Sequence, residues 1–308
     1  YQDNNTFSGL AAGNYTIRVR EQGSSCTKTY GSNPLVINAL IAYTQIYVKT
    51  GATAGNNNGS SWANAFLNLQ DAIDANCNGI DIWVAAGTYL PTDAPDGTTS
   101  TGATDRNNAF HLATDMKIYG GFDGTETLLS ARDAATNSTI LSGDFSGDDG
   151  VTGSGSTIAI TGNTENAYHV MITANLTVAA VIDGFTIKGG NANGGGNINY
   201  QLQAFSKNSG GGMRNISSLT ITNTTFSYNK AVKAVTFGYG GGGFGGGIAN
   251  SSSSPTITNT TFSYNTAEDE GGGIVNAFSS PISKNTIFWE NLKNGSNSAS
   301  GADITNLS

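Results

Sequence analysis

One string, written three times, constrains this chain more than anything else in it. Leu219-Thr-Ile-Thr-Asn-Thr-Thr-Phe-Ser-Tyr-Asn229 returns almost letter for letter as Pro255-Thr-Ile-Thr-Asn-Thr-Thr-Phe-Ser-Tyr-Asn265. It returns again, altered, as Pro281-Ile-Ser-Lys-Asn-Thr-Ile-Phe-Trp-Glu-Asn291. The phenylalanines fall at 226, 262 and 288, so the periods are 36 and 26. A glycine triplet and an apolar residue precede each copy: 210–212 with Met213, 245–247 with Ile248, and 271–273 with Ile274. Fixed motifs at a variable period mean constant coils separated by loops of changing length, which is how a solenoid behaves.

Two or three short strands per turn, each alternating apolar and polar residues, predict a parallel β-helix rather than a propeller, because no unit holds four strands. At about 25 residues per coil, about nine coils fit between Ile80 and Ser308, making a rod of about 43 Å at about 4.8 Å per coil. Phe226, Phe262 and Phe288 then stack inside. Asn229, Asn265 and Asn291 stack at a corner with their amides bonded along the rod, and the glycines supply positive φ at the turns.

Composition agrees with an all-β chain. Gly 42, Asn 35, Ser 30 and Thr 37 make up nearly half of the 308 residues, too many turn formers for a helical bundle. Fourteen basic against 22 acidic residues give a net charge of −8, and no Lys/Arg cluster is present to neutralise phosphates, which argues against a nucleic-acid partner. No apolar run is long enough for a membrane helix, and residues 1–30 lack a basic head followed by an apolar stretch. The chain opens at Tyr1 in what reads as the middle of a domain, which suggests a mature or partial chain.

Three segments are expected. Residues 1–39 carry alternating Tyr15, Ile17 and Val19, a half-buried strand after a glycine turn. Residues 40–79 hold a linker, the strand Gln45-Ile-Tyr-Val-Lys49 and a helix. That helix is read from Trp62, Phe66, Leu69 and Ile73 at spacings of four, three and four, with Ser60 or Ser61 as N-cap and Asn78-Gly79 as the stop. Its role is to cover the first open sheet edge. Residues 80–308 are the β-helix, beginning at Ile80-Asp-Ile-Trp-Val-Ala85. Cys26 and Cys77 allow one bridge at most. The favoured reading leaves them unbridged, with Cys26 missing a partner from an upstream segment.

The stretch Phe7-Ser-Gly-Leu-Ala-Ala-Gly-Asn-Tyr-Thr-Ile-Arg-Val-Arg20 with Gly23-Ser-Ser-Cys26 resembles the closing strands of the Ig-like repeats of gliding-type surface adhesins. The paired Phe-x-x-Asn motifs (Phe226 to Asn229, Phe262 to Asn265, Phe288 to Asn291) and Gly-Gly-x-apolar motifs are similar to chlamydial polymorphic outer-membrane protein repeats. Arg106-Asn-Asn-Ala-Phe110, Ile118-Tyr-Gly-Gly-Phe-Asp-Gly-Thr-Glu126, Arg132-Asp133 and Thr139-Ile-Leu-Ser-Gly-Asp144 are similar to the N-terminal coils of pectin-lyase-like bacterial surface proteins. The resemblance implies a right-handed parallel β-helix displayed outside the cell. It says less about function, because this fold carries lyases, hydrolases, adhesins and stalks.

Gly143-Asp-Phe-Ser-Gly-Asp-Asp-Gly150 gathers Asp144, Ser146, Asp148 and Asp149 in one turn, an oxygen set suited to calcium, the one cofactor the sequence suggests. Asp149 stands where an EF-type loop wants glycine, and no glutamate follows at the twelfth position; the alternative is a solvated acidic turn. Tyr200, Phe205, Phe237, Tyr239 and Phe244 lie on two Gly-rich insertions, 189–212 and 230–247, and suit either stacking on sugars or packing back on the rod. Asp144, Asp183, Lys188, Arg132 and Arg214 are the candidates for lyase or hydrolase chemistry, with none assignable to a shared face, and the Asn-Thr-Asp, Gly-His-Gly and Arg-Ile-Lys strings of polygalacturonases are absent. His169 reads as a satisfied structural histidine, and Asn223-Thr-Thr and Asn259-Thr-Thr as parts of the repeat rather than glycan sites. The expectation is a non-catalytic extracellular adhesin or display rod whose partners are polysaccharides, cell-surface glycans or copies of itself. The alternatives are a polysaccharide lyase or hydrolase, and a filament subunit.

Overall fold

The computed structural model describes residues 17–20, 27–30, 44–53, 55–76, 79–97, 104–112, 114–233, 242–297 and 301–307; Cys26, Cys77, Phe237 and Tyr239 lie outside them. The chain divides into two compact units, Tyr1–Ala42 and Tyr43–Ser308. In the first, Ile17–Arg20 pairs antiparallel with Thr27–Tyr30, placing a strand where Ile17 and Val19 alternate.

The second unit is a parallel β-helix of four stacked sheets. Sheet 1 comprises Phe110–Leu112, Met171–Ala174, Met213–Ile216, Ile248–Ser251, Ile274–Ala277 and Ile304–Leu307. Sheet 2 comprises Gln45–Val48, Asp81–Ala85, Lys117–Phe122, Val181–Asp183, Thr220–Thr222, Thr256–Thr258 and Ile282–Lys284. Sheet 3 comprises Gly87–Tyr89, Thr139–Ser142, Thr186–Lys188, Thr225–Ser227, Thr261–Ser263 and Ile287–Trp289. Sheet 4 holds the two-residue strands Asn191–Ala192, Lys230–Ala231, Thr266–Ala267 and Leu292–Lys293. Every pairing within the four sheets is parallel.

Two expectations change. A complete coil has four strands rather than two or three, because the segment after each corner asparagine bends into sheet 4. The longest sheet has seven strands, six of them after Ile80 where nine coils are expected, so about 29 Å separates its first strand from its last at about 4.8 Å per step. The coil count falls because insertions consume chain. Met171 pairs with Met213, Met213 with Ile248 and Ile248 with Ile274, and only the last step is as short as the assumed coil.

Inside, like residues sit on like. Ile82, Ile118, Ile182, Ile221 and Ile257 are buried and stack in register along sheet 2. Phe226, Phe262 and Phe288 form the predicted ladder, with centroids 5.0 and 5.1 Å apart and planes within 9°. Asn229, Asn265 and Asn291 form the predicted corner. Asn265 Oδ1 accepts from the backbone N–H of Asn229 (3.1 Å) and from its Nδ2 (3.0 Å), while Asn265 Nδ2 donates to Asn291 Oδ1 (3.0 Å) and back to Phe226 O (2.9 Å). Each amide thus joins three coils. A second buried ladder, not foreseen, runs through sheet 1: Thr173 Oγ1 donates to Asn215 Oδ1, Asn215 to Asn250, Asn250 to Asn276 and Asn276 to Asn306, over 2.7 to 2.9 Å.

The repeated glycine triplet has a separate reason for each position, seen at 245–247. Gly245 takes φ +66°, and a Cβ on Gly246 or Gly247 would meet carbonyl oxygens of neighbouring coils at 2.4 and 2.5 Å. Glycine is not the sole source of positive φ, however. Asn223, Asn259 and Asn285 adopt φ of 47–50° between sheets 2 and 3, and Tyr228, Tyr264 and Glu290 adopt 53–58° before the asparagine corner. Asparagine tolerates this region well, tyrosine poorly. The coil closes regardless, and Tyr228 stacks on Tyr264 at 5.2 Å.

The predicted helix is broken. A 3-10 turn, Trp62–Asn64, capped by the Ser61 side chain, gives way to extended backbone, and an α-helix spans only Leu69–Ala75. The interruption extends the solenoid: Phe66 N donates to Tyr47 O and Lys49 N donates to Phe66 O, adding a bridge outside the first strand of sheet 2. The helix itself covers the first strand of sheet 1. Gln70, 1% exposed, accepts from His111 N at Oε1 (3.1 Å) and donates from Nε2 to His111 O (3.1 Å). One side-chain amide replaces a neighbouring strand.

Asn265→Ala orphans the Asn229 amide and the Phe226 carbonyl in the core, and is expected to lower unfolding stability by about 3 kcal/mol. Asn285→Gly, on the exposed corner, keeps the left-handed backbone at φ 48° accessible and should change it by less than about 0.5 kcal/mol. Urea midpoints of the two variants check this.

Candidate functional site

The acidic turn is built on Asp144, just after the sheet 3 strand Thr139–Ser142. Asp144 is 8% exposed, and its carboxylate accepts from the backbone N–H groups of Gly147 (2.6 Å), Asp148 (3.3 Å) and Asp149 (3.2 Å). The chain then makes a hairpin, Gly150–Thr152 paired antiparallel with Ala159–Thr161, and returns at Glu165. One carboxylate oxygen each from Asp144, Asp148 and Glu165 lies within 4.8 Å of the others. Ser146 is exposed. Asp149 turns to Asn166, whose Nδ2 donates to Asp149 Oδ2 (2.9 Å) and to Gly189 O (2.7 Å). Asp149 Oδ1, Glu165 Oε1 and Asn166 Oδ1 are all buried with no partner. Burial, reinforced by the charges of Asp144, Glu165 and Asp148 against the Asn166 hydrogen bond, pushes the Asp149 carboxyl up to about 6. Glu165 could not be read from the sequence, because only the hairpin brings it back beside Asp148.

The same hairpin walls a groove of about 430 Å³ against sheet 4. Ile158, Ala159 and Ile160 form the wall. The floor steps through three coils: Lys230, Ala231 and Val232; Thr266, Ala267 and Glu268; then Leu292 and Asn294. Thr266 Oγ1 has no partner, and Lys230 belongs to none of the three ion pairs among the described residues.

The aromatic insertions behave differently. Asn197–Tyr200 pairs with Gln203–Ser206 in a hairpin laid on the outer face of sheet 1. Tyr200 and Phe205 are 8% and 0% exposed and join Ile172, Ala174 and Ile198 in a second core. Rings buried this way have no face free for a sugar, and Tyr200 and Phe205 pack back on the rod instead. Phe244 is half-buried and bridges Ser209 and Glu270 as an extra rung. Phe237 and Tyr239 lie outside the described residues.

Among the candidates for catalysis, two meet directly. Arg132 and Asp183 pair at 2.5 Å, and Arg132 also donates to Gly120 O (2.9 Å), while Asp183 Oδ1 accepts from Asn223 Nδ2 (2.9 Å) at the head of the exposed asparagine row Asn223, Asn259 and Asn285. Those amides are engaged along the rod, as a structural role for the Asn-Thr-Thr strings requires. Lys188 lies in sheet 3 between Ser142 and Ser227. Arg214, in sheet 1, donates from Nη1 to Ala249 O (3.2 Å) and leaves Nε buried and unpaired; burial lowers it to about 10, so it stays charged. His169 is 0% exposed, with Nδ1 on Gly210 O at 2.9 Å, and burial, with Arg214 and Lys207 adding to it, lowers it to about 3 despite that hydrogen bond. No helix among the described residues is long and apolar enough to cross a membrane.

No family profile, curated protein or solved structure matches the chain.

Because His169 binds a proton near 6.5 when unfolded but only near 3 when folded, the unfolded chain holds the extra proton between those values. Its contribution to stability is complete above about pH 6.5 and is lost as pH falls toward 3, with a slope of at most about 1.4 kcal/mol per pH unit. His169→Gln should flatten the fall in Tm between neutral and mildly acid pH relative to the parent chain.

Proposed function

We propose that this chain is a non-catalytic extracellular rod, on a bacterial surface or secreted, that holds polysaccharide strands along its side. The observation carrying this reading is the groove between the 150–161 hairpin and sheet 4. Its floor advances one coil at a time over three coils, about 10 Å at about 4.8 Å per coil. It combines the apolar groups that sugar CH faces need (Ile158, Ile160, Val232, Leu292) with an ammonium, a carboxylate and an unpartnered hydroxyl from Lys230, Glu268 and Thr266. A chain of sugars lying along the rod axis meets a polar group on every coil, Lys230, then Thr266 with Glu268, then Asn294. Many weak contacts of this kind suit multivalent adhesion. The extracellular setting follows from the likeness to displayed β-helix proteins. The non-catalytic reading is supported by Asp183 and Arg132 being spent on each other.

Incubation with acidic and neutral polysaccharides, following both retention on the protein and polymer length, is expected to show retention without shortening. Ile160→Asp combined with Lys230→Glu should weaken retention about tenfold or more, a loss of about 1.4 kcal/mol, and leave Tm nearly unchanged, since both residues are partly exposed. Shortening of the polymer would assign the chain to the lyases or hydrolases instead.

A second reading, a subunit of a filament, is favoured by the last strands of sheets 2 and 3, where Ile282, Ile287 and Trp289 are 54–59% exposed. Sedimentation velocity separates the two: a monomer at all concentrations speaks for the adhesin, and growing assemblies abolished by Ile287→Lys with Trp289→Glu speak for the filament.

A further inference from the structure

We propose that Asp144, Asp148 and Glu165 bind a hard divalent cation, calcium by size and ligand type, which clamps both legs of the 150–161 hairpin to the solenoid. The three carboxylates come from two places in the chain path, the turn at 144–149 and the returning leg at Glu165. Asp144 belongs to the corner after sheet 3, Asp148 to the outgoing leg and Glu165 to the returning leg, yet an oxygen of each lies within 4.8 Å of the other two. None of the three ion pairs among the described residues involves them.

A second, independent observation points into the same place. Asn166, only 1% exposed and next in the chain to Glu165, donates to Asp149 Oδ2, next in the chain to Asp148, and leaves its own Oδ1 buried without a partner. Buried polar atoms in native proteins are ordinarily satisfied, so an orphan calls for a ligand. Here three orphans belong to a cluster residue or to its neighbours in the chain: Glu165 Oε1, Asn166 Oδ1 and, next to Asp148, Asp149 Oδ1. All are oxygens, and none is a donor. Calcium takes six to eight oxygen ligands, mixing carboxylates, amide carbonyls and water, and accepts irregular geometry. Magnesium demands a tighter octahedron and gives up water reluctantly, so a cluster spread over two chain segments favours calcium.

The consequence is mechanical. The legs already approach closely, since a Cβ on Gly162 would meet Asp148 O at 2.5 Å. A cation binding Asp148 and Glu165 closes the intervening loop, and binding Asp144 fixes that loop to the coil. The hairpin that walls the groove is then as rigid as the rod. This inference stands apart from the polysaccharide reading, because its test needs no sugar.

The experiment is calorimetric titration of calcium into the chelator-treated chain, with Tm and limited proteolysis of the hairpin followed in parallel. One calcium per chain is expected, with a rise in Tm of roughly 3–6 °C at millimolar calcium and slower cleavage between residues 150 and 161. Asp148→Asn and Glu165→Gln keep volume and relieve repulsion, so each should fold with an unchanged or higher calcium-free Tm, checked by circular dichroism, and should lose the calcium response. Absence of binding heat and of any Tm change in the parent chain overturns the proposal. So does a response that persists in both variants, which would put the cation elsewhere. Magnesium at the same concentration should give less than half the shift.

Discussion

Register between successive coils is the constraint on which everything else in this molecule rests. A parallel sheet of three-residue strands has little to hold one coil opposite the next, and a slip of one residue would turn each inward side chain outward. The buried asparagines remove that freedom. Asn265 reaches Asn229 on one side and Asn291 on the other, and it also binds the backbone carbonyl of Phe226. A slipped coil would leave all of these groups in the core without partners, at a cost of about 1–3 kcal/mol each. The Thr173 to Asn306 row imposes the same rule on sheet 1. Phe226, Phe262 and Phe288 then stack because the amides have already aligned the coils that carry them.

With register set, the solenoid must deal with its first edge. Sheet 2 gains a bridge through Phe66, and sheet 1 is finished by the amide of Gln70, which supplies one donor and one acceptor to His111. Both devices satisfy edge groups that would otherwise pair with another chain. They also explain the interrupted helix. Residues 65–67 are needed as extended backbone, so helix formation waits until Leu69.

The insertions are where coils of one kind acquire separate tasks. The 197–206 hairpin lays Tyr200 and Phe205 on sheet 1 and creates a second core outside the rod. The 150–161 hairpin stands beside sheet 4 and makes a groove where the repeat alone would present a flat side. Its base carries the cluster of unpartnered oxygens, so the feature that shapes the groove and the feature that invites a cation lie on the same excursion of the chain.

The repeat was legible because each coil meets the same packing problem and answers it with the same letters. Phe-x-x-Asn and Gly-Gly-x-apolar therefore announced the β-helix, the phenylalanine ladder and the asparagine corner from spacing alone. The acidic turn at Asp144 was legible too, since its residues are adjacent in sequence. Which oxygens share a point in space was not: Glu165 joins Asp144 and Asp148 because an antiparallel hairpin folds back, and neither composition nor spacing states where a loop returns. Burial of Tyr200 and Phe205 was likewise undecided by sequence, since an aromatic in a Gly-rich insertion reads the same whether it faces water or sheet 1. Local, repeated interactions were written in the chain, while contacts between unlike segments were decided only when the rod supplied a surface for them to meet.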